Sequence, residues 1–439
     1  MSSFFMGFLY PAWRSFVRNL HRYRVLLFAL VIISMVLTVV IASVLGMRAG
    51  LYEKASRYFS GNVVVLGYKA RRSSIMEDPH RIEQAFHRLN EAHIQVETFS
   101  RRSTYYDALN IELFFSGYWT KQRRLVGVEW QLERPVLKNM DFVAGGVPED
   151  GDENAVIIST AAARQLNIGV GDELLISIRS SRGRTNTVEL IVQGIFSETS
   201  FFGYTPYIHR HTLNRLKETP EDQVNEMGLF LENPIADQAQ AARQVVEDLG
   251  RDMPTFGVLR SREEYEAAAA KNREERHYGV VTVGAQLEEI NDLLTALTII
   301  AGAVMLMFLG ITVVGVSNTF TMVVYERTKE VGTLRALGMQ KGRAIGTFLL
   351  ESVFLGLSGA VGGILLGVVT LEAVRRFVEF PPTFATTLFL TQGRLRWMLP
   401  PWAVFAILGL VVVSSLIGSL SSSVRAGRMR PVEALSHHQ

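Results

Sequence analysis

Cysteine is absent from all 439 residues, so neither a disulfide framework nor a thiolate metal site can form. No G-x-x-x-x-G-K-[ST] run occurs, and the nearest string, Gly338-Met-Gln-Lys-Gly342, has the wrong spacing. Without a phosphate-cradling loop these residues are not expected to hydrolyse ATP. A serine nucleophile elbow and an H-E-x-x-H run are also missing, so no catalytic residue is assigned. Histidines group loosely at His80, His87 and His93, and as His209-Arg-His211, with no carboxylate at metal spacing. They read as surface histidines, and no metal is expected. An excess of one charge is lacking too: 45 Lys and Arg face 42 Asp and Glu, for a net charge of +3. The arginines flank apolar runs and form no aromatic-studded basic strip, which argues against a nucleic-acid partner.

What the chain has is apolar length. Hydrophobic residues make up 48% of it, and four runs reach the roughly 20 residues that cross a bilayer. They cover 25–47, 293–325, 348–371 and 401–420, and the sole acid in them is Glu351. The first is longer than a signal-peptide core and ends without a small-x-small cleavage site, so it reads as a retained signal-anchor. Arg14, Arg18, Arg22 and Arg24 precede it. Arg327, Lys329, Arg335, Lys341 and Arg343 lie between spans two and three, and Arg425, Arg428 and Arg430 follow span four. The positive-inside rule puts these three segments, and both termini, in the cytoplasm. Arg375, Arg376, Arg394 and Arg396 dissent mildly between spans three and four. Trp13, Phe16, Val17 and Leu20 recur at helical spacing opposite Arg14, Arg18 and Arg22, the pattern of an amphipathic helix lying in the interface.

Between spans one and two lies a polar region of some 245 residues, counted as 48–292, which is too long for a loop. Strand patterns cover 62–66, 94–99, 155–158, 174–178, 188–192 and 227–231, and helical patterns cover 79–91, 160–166, 236–249 and 262–272. The expected fold is an α-helical membrane protein with four transmembrane helices and a large α+β extracytoplasmic domain of two lobes, inserted between helices 1 and 2. Span two reaches about 50 Å at 1.5 Å per residue, which makes it either a lever into the outer domain or a long tilted helix. Gly359, Gly363 and Gly367 lie four apart in span three beside Gly356, and Ser414, Gly418 and Ser422 repeat the theme in span four. Such small-residue ridges let helices approach closely in lipid, within one subunit or across a dimer. Glu351 is expected to pair with Arg343 or another base of the preceding loop; a proton-coupled site and a snorkelling acid are the alternatives. Phe201, Phe202 and Tyr204 crowd a Gly/Pro loop that is either a strand edge buried under its own domain or a contact for a periplasmic partner or acyl chain.

The segment Glu326-Arg-Thr-Lys-Glu-Val-Gly-Thr-Leu-Arg-Ala-Leu-Gly-Met339 resembles the coupling segment of the MacB/FtsX-like permease superfamily. Ala12-Trp13-Arg14-x-x-x-Arg18-Asn19 is similar to that family's elbow, Ala155–Asp172 to its inserted lobe, and Arg430-Pro-Val-Glu-Ala-Leu435 to its tail. Within the family the arrangement looks most like the lipoprotein-releasing LolC/LolE-type permeases. The resemblance implies an elbow at 1–24, spans at 25–47, 293–325, 344–371 and 400–421, and a coupling helix at 326–343. It also implies an outer domain at 48–292, with lobes at about 61–128 plus 226–275 and at 129–225, a short periplasmic loop at 372–399 and a cytoplasmic tail at 422–439. It casts Glu326, Arg327, Lys329, Glu330, Gly332, Arg335 and Gly338 as the ATPase contact and hinge. Implied partners are an ABC ATPase dimer holding ATP and magnesium, a second permease (the same chain or a paralogue), and a periplasmic lipoprotein chaperone or adaptor. The implied activity is mechanotransmission for lipoprotein release from the inner membrane. An FtsX-like regulator of a cell-wall hydrolase and an efflux permease of a tripartite pump are the alternatives.

Overall fold

A computed structural model describes residues 14, 16–18, 20–69, 72–73, 76, 78–180, 182–197, 205–260, 264, 267, 276–381, 383, 386, 389–390 and 393–428. The aromatic loop Phe201, Phe202 and Tyr204, most of the expected helix at 262–272, most of the elbow string and the tail beyond Arg428 lie outside them. Two compact units result: a helical unit within Met1–Met47, Leu294–Glu379 and Arg394–Gln439, and an α/β unit within Arg48–Leu293 and Phe380–Gly393.

Among the described residues four helices are long and apolar enough to cross a membrane. They belong to α1 (Leu20–Tyr58), α8 (Glu288–Glu326), α10 (Lys341–Phe377) and α11 (Pro401–Arg428). Both α1 and α8 run 39 residues unbroken, about 58 Å at the helical rise. Extra length was expected of α8 only. Hydropathy ends the first span near Met47 because Arg48, Glu53, Lys54 and Arg57 follow, yet these residues prolong the helix to Tyr58.

Within the helical unit the glycine ridge of α10 rests on α1. A Cβ on Gly359 would come 2.6 Å from Leu30 Cβ and one on Gly367 2.8 Å from Thr38 Cβ, while one on Gly363 would strike Ser34. On an adjacent row, Gly356 faces Ser415 of α11. Both ridges therefore pack inside one chain, that of α10 on α1 and Gly418 of α11 on Val316 of α8, where dispersion contacts hold helices together in lipid. Gly363→Leu is expected to separate α1 from α10 and lower the thermal midpoint in detergent by several degrees. Gly362→Leu, beside the softer Val31 side chain, should cost less, and equal effects would contradict this packing.

The α/β unit is built on a 12-stranded mixed sheet. Its strands are β1 (Val63–Lys69), β2 (Arg72–Ser73), β3 (Val96–Phe115), β4 (Tyr118–Val128), β5 (Phe142–Gly145), β6 (Ala155–Ser159), β7 (Glu173–Arg179), β8 (Thr185–Phe196), β9 (Tyr207–His209), β10 (Glu226–Leu231), β11 (Thr255–Leu259) and β12 (His277–Thr282). The hydrogen-bonded path runs β11-β12-β1-β10-β3-β4-β9-β6-β8-β5, with β2 on β1 and β7 bridging β3 and β8. Most pairs are antiparallel; β11/β12, β4/β9 and β6/β8 are parallel.

β3 spans both halves of the sheet. Its first half pairs with β10 and its second with β7, and a register shift falls between Tyr106 and Ile111. Asp107 fixes that irregularity by accepting from the backbone N–H groups of Leu109 and Asn110 at 3.0 and 3.2 Å. Three apolar cores follow among the described residues, one of them around Trp130, Leu137, Phe196 and Tyr207. Another packs α2 (Pro79–Arg88) and α6 (Pro234–Gly250) on the sheet through Phe86, Leu89, Val245 and Leu229. The third packs α4 (Thr160–Leu166) and α5 (Arg210–Lys217) through Leu166, Leu213, Ile176 and Ile208. α4 starts where Ser159 Oγ accepts from Ala162 N, and stops at left-handed Asn167. The next turn closes when Asp172 accepts from Gly169 N at 2.8 Å. α3 (Trp130–Leu137) and α7 (Val283–Gln286) complete the unit. His209, read from sequence as a surface histidine, is buried at the end of β9 because that strand is covered on both sides.

Candidate functional site

The coupling segment folds as a short separate helix, α9 (Thr328–Ala336), between α8 and α10. α8 stops at Arg327, whose backbone leaves the helical region (φ −98°, ψ 8°). α9 stops at Gly338, whose φ of +100° favours glycine. Gln340, in extended backbone, then opens α10.

Arg327 and Gly332, both expected at the contact surface, are buried instead. Arg327 turns inward and its Nη1 donates to Glu351 Oε1 and Oε2 at 2.9 and 3.2 Å. Tyr23 of α1 donates to Glu351 Oε2 at 2.8 Å. Glu351 is fully buried, and a carboxylate there requires such a pair of donors. The base expected to face Glu351 is thus Arg327. Tyr23 stacks on Phe320 and Phe16, which closes an aromatic cover over the pair. Arg22 pairs with Glu326 at 3.1 Å, half-exposed and correspondingly weak. Val331 packs on Val324, Phe348 and Ala426. α9 is therefore rooted in α1, α8, α10 and α11 along one side.

Its other side is open. Glu326, Lys329, Glu330 and Gly338 are exposed, and Arg335 is half-buried. Leu334 and Leu337 join them, Leu337 being 81% exposed. A charged rim around exposed leucines has the composition of a docking face. Sequence reading singled out the charges and passed over the two leucines, because a leucine in a nine-residue helix reads as core until its face is known.

A second cluster sits in the α/β unit, where α1 ends. Arg102 Nη1 donates to Arg57 O at 2.7 Å and Arg124 Nη1 to Tyr58 O at 2.7 Å, which satisfies terminal carbonyls of the helix. The same Arg102 holds Glu133 through Nε and Nη2 at 3.0 and 2.6 Å, with both side chains fully buried. Arg124 reaches Glu226, which also accepts from Ser60 Oγ at 2.6 Å and so fixes that residue's left-handed turn. Nearby, Lys217 donates to Ser103 and Asn225, and burial lowers its ammonium pKa to about 8. α1 then passes into β1, and β12 passes through α7 into α8. Val63 and Thr282 are register partners, so both membrane helices attach at the same end of one strand pair. Val283 N bonds Asn62 O at 2.8 Å and ties the two connections together. This antiparallel pair lies one strand in from the β11 edge of the sheet.

Comparisons with known proteins match the C-terminal part of this architecture. Residues 302–431 match the FtsX-like permease C-terminal family. An ABC transporter permease of Methanocaldococcus jannaschii is 28% identical over 176 residues, 39% of this chain and 41% of the relative. The permease YtrF of Bacillus subtilis is 27% identical over 187 residues, 41% of each chain. The macrolide export ATP-binding/permease protein MacB of Nitrobacter winogradskyi is 31% identical over 123 residues, 28% of this chain and 17% of the relative. The chain thus spans less than half the length of these curated relatives. The four apolar helices and these matches together support a multi-pass membrane protein of the MacB/FtsX-like ABC transporter permease superfamily.

Proposed function

We propose that the chain is a permease subunit that receives the movement of a separate ATPase dimer on α9 and passes it along α1 and α8 to the α/β unit. In this reading α9 and both termini face the cytoplasm, the α/β unit lies on the far side of the inner membrane, and two permeases pair around the ATPases. The observation that carries it is the asymmetry of α9: a buried Arg327–Glu351–Tyr23 root on one side, and a leucine face with a charged rim on the other. In this reading ATP and magnesium are held by the partner, which carries the phosphate-binding loop.

The work done is release of lipoproteins from the inner membrane, handed to a periplasmic chaperone or adaptor. Support comes from the large α/β unit between the first two apolar helices, joined at one strand pair to both of them. The macrolide-export names of several relatives favour a second reading, efflux of small apolar molecules. Membrane vesicles containing the chain and its ATPase separate the two: ATP-dependent release of a lipoprotein supports the first, and ATP-dependent macrolide movement the second.

Glu330→Lys tests the role of α9 directly. The variant should fold, because Glu330 is exposed. Hydrolysis should continue while substrate release falls by roughly tenfold or more, about 1.4 kcal/mol of lost coupling. Full substrate-stimulated turnover by the variant would refute the assignment.

A further inference from the structure

The fold assembles one cluster that the sequence order conceals. Glu153 lies in the turn before β6, His209 ends β9, and His211 sits in the first turn of α5. Their ligand atoms all lie within 4.8 Å of one another. Glu153 Oε1 is 3.1 Å from His211 Nδ1 and 3.9 Å from His209 Nδ1. The imidazoles meet edge to face with centroids 5.0 Å apart. A tetrahedral zinc ion with bonds of about 2.0–2.1 Å spaces its ligands by about 3.3 Å, close to these separations. A second observation is independent of the spacing. His209 is 93% buried (7% exposed), and its Nδ1, which faces Glu153, has no hydrogen-bond partner among the described residues. A buried ring nitrogen without a partner is costly, and a ligand bond would satisfy it.

The surroundings are built rather than incidental. Thr212 Oγ1 donates to Glu153 O at 2.7 Å and Trp130 Nε1 to Asp152 O at 2.8 Å, pinning the Glu153 turn onto α5 and α3. Arg215 Nη1 holds the other carboxylate oxygen, Glu153 Oε2, at 2.7 Å, leaving Oε1 aimed at the two rings. His211 Nε2 faces Asp222 Oδ1 at 3.8 Å, an acceptor for the N–H this nitrogen carries when Nδ1 binds a metal, while the Arg210 guanidinium 3.3 Å away is a donor and offers it none. Arg210 is itself held by Glu129 at 2.6 Å, and Arg215 also faces Glu221 at 3.9 Å, so acids offset both guanidinium charges. Outer partners of this kind fix the orientation of metal-ligating side chains.

We propose that Glu153, His209 and His211 bind a late first-row divalent cation, with zinc as the best fit to two imidazoles and a carboxylate. Three protein ligands leave a fourth position for water or a group from a partner. His211 and Glu153 are each about a third exposed, which gives the ion a path in. Occupation clips the Glu153 turn to the β9–α5 junction. The inference is independent of the transport reading.

The test is zinc chloride titrated into the full chain in detergent micelles, read by calorimetry and by metal content after gel filtration. Cobalt provides a spectroscopic check, through the intense visible bands of a low-coordinate site. One ion per chain is expected at this cluster. His211→Asn and Glu153→Gln should each weaken it by roughly tenfold or more and abolish the cobalt bands, while the far-ultraviolet spectrum stays unchanged. His209→Asn should do the same but disturbs a buried position, so the two partly exposed residues decide the matter. Zinc binding that these variants leave unaltered, or no saturable binding at all, would overturn the proposal.

Discussion

Arg327→Ala is expected to destabilise the helical unit by about 3–5 kcal/mol, the cost of stranding one member of a buried ion pair. Glu351 is fully buried and would keep Tyr23 as its remaining described donor, which cannot neutralise a carboxylate. Glu351→Ala should also destabilise the unit, because Arg327 then loses the carboxylate it holds at 2.9 Å. The double variant Arg327→Met with Glu351→Leu fills the same space without charge. It should recover most of the loss, since apolar replacements of buried pairs are often neutral. Thermal unfolding of Arg327→Met, Glu351→Leu and the double in one detergent gives a coupling energy, expected at about 2 kcal/mol or more. Additive losses would show that the pair does not hold α9 to α10. The same variants bear on mechanism: with its root loosened, α9 should still bind an ATPase yet transmit less of its movement.

Arg102→Ala should be the most damaging single change in the α/β unit, again by about 3–5 kcal/mol. One guanidinium there bonds Glu133 by two of its nitrogens and the Arg57 carbonyl by the third. Alanine strands Glu133, which is fully buried, and removes one of the two arginine donors at the C-terminal end of α1, leaving Arg124 on the Tyr58 carbonyl. Arg102→Lys is an informative control. Lysine keeps the charge but has no fork, so it cannot serve the carboxylate and the helix carbonyl together. It should recover less than half of the loss. Cleavage by a protease near residues 57–62 should rise in parallel, because the anchored turn opens. Stability of Arg102→Ala within about 0.5 kcal/mol of the parent, the range of ordinary surface changes, would contradict this reading of the joint.

The sequence made the membrane helices legible because lipid imposes a simple demand: about 20 apolar residues with few charges. Position 351 was legible for the same reason, since a lone acid in such a run needs a donor, though which donor depends on how α8 breaks at Arg327. The docking leucines were not legible, because their exposure depends on α9 turning Val331 inward. The end of α1 escaped notice because hydropathy reports burial in lipid and says nothing of a polar helix that continues beyond it. In the sheet, short continuous apolar runs such as 155–158 led to strands close to those observed. The long β3–β4 hairpin did not, because Arg101, Arg102 and Asp107 break its apolar alternation. Contacts such as Arg102 with Glu133, or Glu153 with His209, join residues 31 and 56 apart in sequence with no spacing rule to announce them.

The central claim is that α9 is the surface on which an ATPase docks. A photo-crosslinking amino acid at position 337, in the tagged chain expressed in its native membrane, tests it most directly. The account predicts one dominant adduct, a protein carrying the G-x-x-x-x-G-K-[ST] loop, with a control crosslinker at lipid-facing Leu306 giving no such adduct. Adducts at 337 that contain no ATPase would contradict it.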